Sequence, residues 1–412
     1  MLLYLILHNV ARRAAKLMGW TMWNLLCVAL AAFLLTATHG AVAADKTGVT
    51  DKSIKIGLFG PLTGGAGAGK KSVFGAASIY KDINDRGGIN GRKIELVIED
   101  DGCDGAKGNA IVDKLIEQDK VFLLHGAWCS KVALAIKPAV IKSHRVPYIV
   151  LGAVAAEITA DVQPNIFQPV ATSQTVGEQM IDFALTKPGA KRVAIISHTD
   201  QWGISYRTAT INRLKSRGLE PVVVLSFERG DKNASSQVSE IKASAPDAVM
   251  ALLYPDEMEA YLREAYKQGL KTTTLGATAT SIDETNKRLG IPEAISDVYM
   301  AFSLRGTITS PELKRFADMY KKYYPSESLD QMGFYSMDGA LVIAEVIKRL
   351  GHDVTRERFL AELNKIKNYA AGVQAGTLSF TPADHRGIKS VSLVGLVKQR
   401  EAIFHKHPSA SH

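Results

Sequence analysis

Seven residues, His125–Lys131 (HGAWCSK), carry the chemistry most readily argued from residue type and spacing. They end an apolar run and open a helical one. The N–H groups of a helix start, with a Ser hydroxyl beside them, form a natural anion site. An ordinary helix cap at Ser130 is the plainer alternative. The next apolar run ends in Leu151–Ala156 (LGAVAA), which adds backbone N–H groups at Gly152 and Ala153. In an open parallel sheet such strand ends line the ligand crevice. Together the two stretches suit a carboxylate.

Other candidates for chemistry fail on spacing. The loop Gly60–Lys71 (GPLTGGAGAGKK) contains G-x-x-x-x-G-K from Gly64 to Lys70, but Lys71 stands where a P-loop needs Ser or Thr for its metal. The dinucleotide pattern fails as well, because Gly67 and Gly69 are followed by Ser72. The loop reads as a flexible strand-to-helix connection bordering a cleft. Asp100 and Asp101 could do acid–base work, yet nothing opposite completes a mechanism, and acids at a turn commonly cap the next helix. His125, His144, His198 and His385 lack metal-ligand spacing, and no G-x-S-x-G occurs. The expectation is a binding protein and not an enzyme, with no catalytic residues, no metal and no cofactor.

The elements that must position these residues follow a βα rhythm. Strands are expected at Ile54–Phe59, Lys93–Ile98, Val121–Leu124, Val146–Leu151, Arg192–Ser197, Pro221–Ser226, Ala248–Leu253 and Thr272–Leu275. Amphipathic helices fall between them, at Ser72–Arg86, Lys107–Gln118, Lys131–Ser143, Ser205–Ser216, Ser236–Ser244 and Glu257–Gln268. Repetition of this kind implies parallel sheets with helices on both faces, an α/β fold of two Rossmann-like lobes. The phase changes at Gln168–Ser173 and near Met300–Leu304. Beyond the second change helices dominate, at Ser310–Tyr324, Met332–Leu350 and Arg356–Ile366. A closing strand pair is expected at Ala375–Phe380 and Val391–Val397, then a disordered tail, Lys406–His412. Crossings near Pro169, Ala301 and Ser379 divide the chain into lobe one (50–169 and 302–378) and lobe two (170–301 and 379–408).

Composition narrows the class. The 412 residues allow two or three domains. With 46% hydrophobic and 22% charged residues, the chain as a whole is neither disordered nor a coiled coil. Residues 1–44 hold Arg12, Arg13 and Lys16 and no acid, so the formal +9 falls to +6 for the remainder. Lys and Arg are scattered among acids there, which argues against nucleic acid as a partner. The apolar core Leu25–Leu35 follows the basic flank and leads to Ala41-Val42-Ala43-Ala44. That order describes a cleavable secretory signal peptide over 1–44. Leu26 precedes Cys27, against a lipid-anchored form, so the expected compartment is the periplasm of a two-membrane bacterium. Cys103 and Cys129 remain after processing. An even pair in an oxidising compartment reads as a disulfide. A metal or catalytic thiol has little support, since no C-x-x-C and no regular His spacing occur.

Five segments together resemble the periplasmic solute-binding proteins of branched-chain-amino-acid ABC transporters. They are IKIGLFGPLTG (Ile54–Gly64), YKDINDRGGINGRKIELVIEDDGCD (Tyr80–Asp104), HGAWCS (His125–Ser130), VPYIVLGAVAAEIT (Val146–Thr159) and YKQGLKTTTLG (Tyr266–Gly276). The resemblance runs from about 53 to 400. It implies a type I periplasmic binding protein, with two lobes, a three-strand hinge and a ligand cleft between the lobes. It also implies pairing of Cys103 with Cys129, a ligand carboxylate held by Ser130 and the backbone at Gly152, and an inner-membrane ABC permease as partner. A monomer is expected. A sensory role before a membrane receptor and a secreted two-lobed enzyme are the alternative readings.

Departures from the family pattern shape the ligand expectation. In amino-acid-binding relatives, a Thr two residues beyond the Gly152 position holds the α-ammonium group; here Val154 stands there. A Glu just after a second-lobe strand completes that site. The matching stretch here, LGATATS (Leu275–Ser281), puts Thr278 in its place and has no acid before Asp283. An ammonium group desolvated without a counter-charge would cost several kcal/mol. Ala68 takes a place where an aromatic residue is common, and Trp202-Gly203 replaces a Tyr-Gly pair. Trp128, Trp202, Tyr254, Phe334 and Tyr335 could supply aromatic walls, worth about 0.5–1.5 kcal/mol per good ring contact. The expected ligand is a small carboxylate that is not an α-amino acid, with an aromatic acid as the leading choice and branched-chain amino acids as the alternative.

Overall fold

A computed structural model describes residues 45–406 apart from 65, 66, 144, 280, 307 and 399. The expected leader at 1–44 and the tail 407–412 lie outside the described residues. The first sheet holds β1 (Ser53–Gly60), β2 (Lys93–Asp100), β3 (Leu123–Gly126), β4 (Tyr148–Val150) and β5 (Ile166–Phe167), all parallel in the order β2-β1-β3-β4-β5. Its connecting helices are α1 (Gly67–Asp85), α2 (Gly105–Asp113) and α3 (Ser130–Lys142). The second sheet contains β6 (Val193–His198), β7 (Val223–Phe227), β8 (Ala248–Leu252), β9 (Thr273–Gly276) and β10 (Val298–Phe302) in parallel. An antiparallel pair, β11 (Ser392–Val397) and β12 (Arg400–Lys406), extends it, giving the order β12-β11-β10-β9-β8-β6-β7. Its helices are α4 (Ser173–Ala184), α5 (Gln201–Ser216), α6 (Ser235–Ala243), α7 (Pro255–Lys267) and α8 (Ile282–Leu289). These are two parallel-sheet lobes of mixed α/β type.

Burial follows position in the sheet. Central strands β3, β6, β8 and β9 are buried at every residue, as strands covered by helices on both faces must be. The edge strand β7 alternates between half-buried and exposed positions until Phe227.

After β10 the chain returns to the first lobe through α9 (Pro311–Tyr323), α10 (Gln331–Tyr335), α11 (Met337–Leu350) and α12 (Arg356–Leu363), and α9, α10 and α11 all pack on α1. The single helix expected over Met332–Leu350 is broken at Ser336, whose hydroxyl donates to the Ser72 carbonyl of α1. Ala375–Phe380 is not a strand. Leu378 makes only isolated bridges, to Tyr369 and Ile388, and β11 pairs instead with β10 and β12. Helices α4 and α8 and the strands β5, β10 and β12 were not expected from the periodicity. In α4, Ser173, Thr175 and Gln179 are buried among the apolar residues, which blurs a two-faced pattern.

Arg356 closes the first lobe. It donates to the carbonyls of Val121 and Phe122 and pairs with Asp45 at 2.9 Å. The closest helix approach is between α1 and α10: a Cβ on Gly75 would lie 1.9 Å from the Gly333 carbonyl oxygen. Gly75→Ala is therefore expected to destabilise the protein by about 1–3 kcal/mol. Urea unfolding followed by circular dichroism checks this, and an unchanged midpoint would contradict the close packing.

Candidate functional site

A cleft of about 610 Å³ lies between the lobes. It is lined almost wholly by residues just beyond the carboxyl ends of strands: Cys103 after β2, Trp128–Lys131 after β3, Gly152 and Val154 after β4. The other wall comes from Asp200–Trp202 after β6, Arg229 and Gly230 after β7, Tyr254–Glu257 after β8, and Thr278 and Ala279 after β9. Parallel strands all deliver their loops to one end, so the crevice is a product of the topology. Met332 and Tyr335 add a contribution from α10.

Ser130 opens α3 and is 4% exposed, and it lines the cleft. Its Oγ accepts the Ala155 N–H at 3.3 Å, which leaves the hydroxyl hydrogen to donate elsewhere. Gly152 and Ala153 behave otherwise than expected. Both N–H groups reach the Ala127 carbonyl, at 3.3 and 3.2 Å, so neither is free for a carboxylate as it stands. Gly152 instead gives room: a Cβ there would lie 2.5 Å from Cδ1 of Trp128. Ala153 is fully buried and does not line the cleft. The buried Trp128 Nε1 has no hydrogen-bond partner.

The opposite wall is aromatic at its centre. Trp202 and Tyr254 stack with centroids 4.5 Å apart, and Arg229 lies over the Tyr254 ring at 5.0 Å. Asp200 caps α5 by accepting the Gly203 N–H and also accepts from the Tyr254 hydroxyl at 2.9 Å. Thr278 lines the cleft with its hydroxyl 2.9 Å from that of Tyr206. Phe334 is fully buried in the core, and its neighbour Tyr335 lines the cleft instead. The Ala68 side chain lies outside the described part of the molecule. Trp128, Ser130, Gly152, Val154, Trp202, Tyr254 and Thr278 are thus brought together, while Ala153 and Phe334 are not.

The acids of the second lobe were missed. The expectation that no carboxylate serves this wall is overturned by Asp200, Asp256 and Glu257, all of which line the cleft. Asp256 pairs with Arg288. Glu257, 3% exposed, accepts the Gly230 N–H at 2.7 Å and faces His198 Nε2 at 3.4 Å. Burial opposes its charge, but His198 and the Gly230 N–H outweigh burial and hold the carboxyl below its ordinary value. The available signal was positional: Glu257 follows a strand, β8, one βα unit before Leu275–Ser281. Among the described residues, no cluster of His, Cys, Asp and Glu could hold a metal, and no helix is long and apolar enough to cross a membrane.

Cys103 and Cys129 are joined, with Cα atoms 5.6 Å apart, at the rim of the first wall. Beneath them Asp101 is fully buried; Oδ1 accepts the Cys103 N–H at 2.8 Å and Oδ2 has no partner.

The comparisons agree with this architecture. The periplasmic binding protein family matches residues 53–401, and the chain belongs to that family. An amino acid binding protein of Pseudomonas aeruginosa is 30% identical over 251 residues, covering 60% of this chain and 67% of that protein. The Leu/Ile/Val-binding protein homolog 7 of Brucella abortus is 27% identical over 325 residues, covering 75% and 81%. Two solved structures share the fold. A branched chain amino acid ABC transporter protein from Thermus thermophilus with bound valine has a TM-score of 0.77 at 18% identity, covering 86% and 96%. A fatty acid ABC transporter substrate-binding protein from Thermomonospora curvata has 0.73 at 22%, covering 88% and 94%.

Burial pushes the Asp101 carboxyl up from 3.8 to about 6. The folded state then holds the proton more tightly than the unfolded chain. Its contribution is fully present below about pH 4 and is lost as pH rises through about 6. Asp101→Asn keeps the Oδ1 acceptor and removes the charge. It is expected to stabilise the protein at pH 7.5, by an amount on the order of 2–3 kcal/mol at most, and to leave it nearly unchanged at pH 4. Melting temperatures of both proteins across pH 4–8 check this; equal curves would contradict it.

Proposed function

We propose that this protein is the periplasmic solute-binding component of an ABC uptake transporter, non-catalytic and monomeric, and that it captures a small carboxylate in the interlobe cleft. The observation that carries this reading is Ser130. It stands buried at a helix start in the cleft, with its oxygen already satisfied by Ala155 and its hydrogen available. The ligand carboxylate accepts from Ser130 and from the first-turn N–H groups of α3, whose dipole favours negative charge. Trp128 on one wall and the Trp202–Tyr254 stack on the other hold its apolar body. Val154 offers no acceptor to an α-ammonium group, and Thr278 is engaged by Tyr206. An aromatic acid fits this wall best.

Glu257 favours a second reading. It supplies a charged oxygen on the cleft wall, which an α-amino acid could use. The two readings part in a thermal-shift screen of the mature protein with benzoate, aryl-propenoates, fatty acids, keto acids, leucine and valine. A ligand at 100 times its Kd adds about 2.7 kcal/mol of stability. A shift with an aryl acid and none with leucine is expected; a leucine shift without an aryl-acid shift selects the second reading. Ser130→Ala should weaken the ligand found by about 1–3 kcal/mol, and an unchanged Kd would move the anion site away from α3.

The lobes are proposed as 50–169 with 302–378, and 170–301 with 379–408, closing about the crossings near Pro169, Ala301 and Ser379. Closure is supported by a bond between the lobes, in which the Ser205 hydroxyl of α5 donates to Glu157 at 3.0 Å. Solution scattering is expected to give a smaller radius of gyration with saturating ligand. An unchanged radius, together with an open form when free, would contradict the clamp.

A further inference from the structure

The disulfide sits where the ligand site is built. Cys129 is the residue between Trp128 and Ser130, the two side chains that the proposed function places against the ligand, and it is the N-cap of α3. Its carbonyl accepts from Val132 and Ala133, so its position sets the direction in which the helix start points. Cys103 lies on the loop between β2 and α2. The bond therefore fastens two neighbouring strand-end loops at the cleft rim.

Both loops hold backbone in the left-handed region outside glycine. Cys103 has φ 60° and Ala127 has φ 59°. Such conformations persist where the surroundings over-determine them. Cys103 is held by the bond and by Asp101 Oδ1. Ala127 is held by its N–H to Phe59 and by its carbonyl, which takes Gly152 and Ala153. The helices behind pack closely on each other without the bond: a Cβ on Gly105 or Gly108 of α2 would lie 2.9 Å from Ala135 or 2.7 Å from Val132 of α3. In front of them the bond is the covalent tie between the two loops.

We propose that the Cys103–Cys129 disulfide is a positioning element of the ligand site, so that ligand affinity follows its oxidation state. A dithiol reductant supplies two electrons and two protons: the sulfur–sulfur bond breaks, two thiols form, and the reductant closes to its own disulfide. The packed helices keep the fold, while Trp128 and Ser130 lose their fixed separation and the ordering cost returns at binding. This rests on the reading of Ser130 and Trp128 as ligand contacts.

The experiment compares oxidised protein, dithiothreitol-reduced protein and the double variant Cys103→Ser/Cys129→Ser by hydrogen exchange and by calorimetric titration with benzoate and with leucine. Faster amide exchange confined to about 127–133 and 101–105, with a tenfold or greater loss of affinity for whichever probe binds, is expected. Unchanged exchange in those loops overturns the proposal, and so does loss of protection throughout the first lobe, which would assign the bond to the fold. Localised exchange with unchanged affinity also overturns it. If neither probe binds the oxidised protein, the choice of benzoate and leucine as ligands is what fails, and the same titration with the acid that the thermal-shift screen returns decides the disulfide's role by the same criteria.

Discussion

A buried parallel strand cannot turn back on itself; it must return through a helix and begin again at the same end of the sheet. Most of the cleft lining follows from that constraint. Seven strand ends from two sheets deliver Cys103, Ser130, Val154, Asp200, Arg229, Glu257 and Thr278 to one crevice, although they are spread over more than 170 positions of sequence. The sheets are rigid because their central strands are buried throughout. The loops are free to vary because they carry no part of the ladder.

How much of this was legible depended on the kind of signal. The βα alternation is a matter of apolar runs, and nearly all the central strands can be read from it within a residue or two. Helix α4 escaped because its buried face includes Thr175 and Gln179, which hydrogen-bond to Thr172 and to the 389–391 segment. The partners of Gln179 are more than 200 residues away, so its burial leaves no local period. Ala375–Phe380 looked like a strand for the opposite reason. Its alternation is real, and Leu378 and Phe380 are buried, but they pack into an irregular crossing segment and not into a ladder.

The site divides in the same way. Ser130 was readable because a hydroxyl at a strand-to-helix junction has a direct physical meaning. The acids of the second wall were not, since Asp200 and Glu257 look like ordinary residues at helix starts until the two lobes face one another. The aromatic residues were ambiguous by nature: Trp202 and Tyr254 stack in the cleft, while Phe334, one residue from a cleft residue, turns into the core. Consecutive residues of a helix leave it about 100° apart, so one can face the core and the next the cleft.

The contact between Asp45 and Arg356 has a consequence for how the molecule is made. These residues are 311 apart in sequence, and Arg356 also ties down the carbonyls that precede β3. A chain emerging from the ribosome at roughly 5–20 residues per second waits about 15–60 seconds between the two. Until α9, α10 and α11 follow, α1 shows water the face on which they will pack. The lobe encoded first is therefore completed late, by residues that follow strands β6 to β10 of the second sheet.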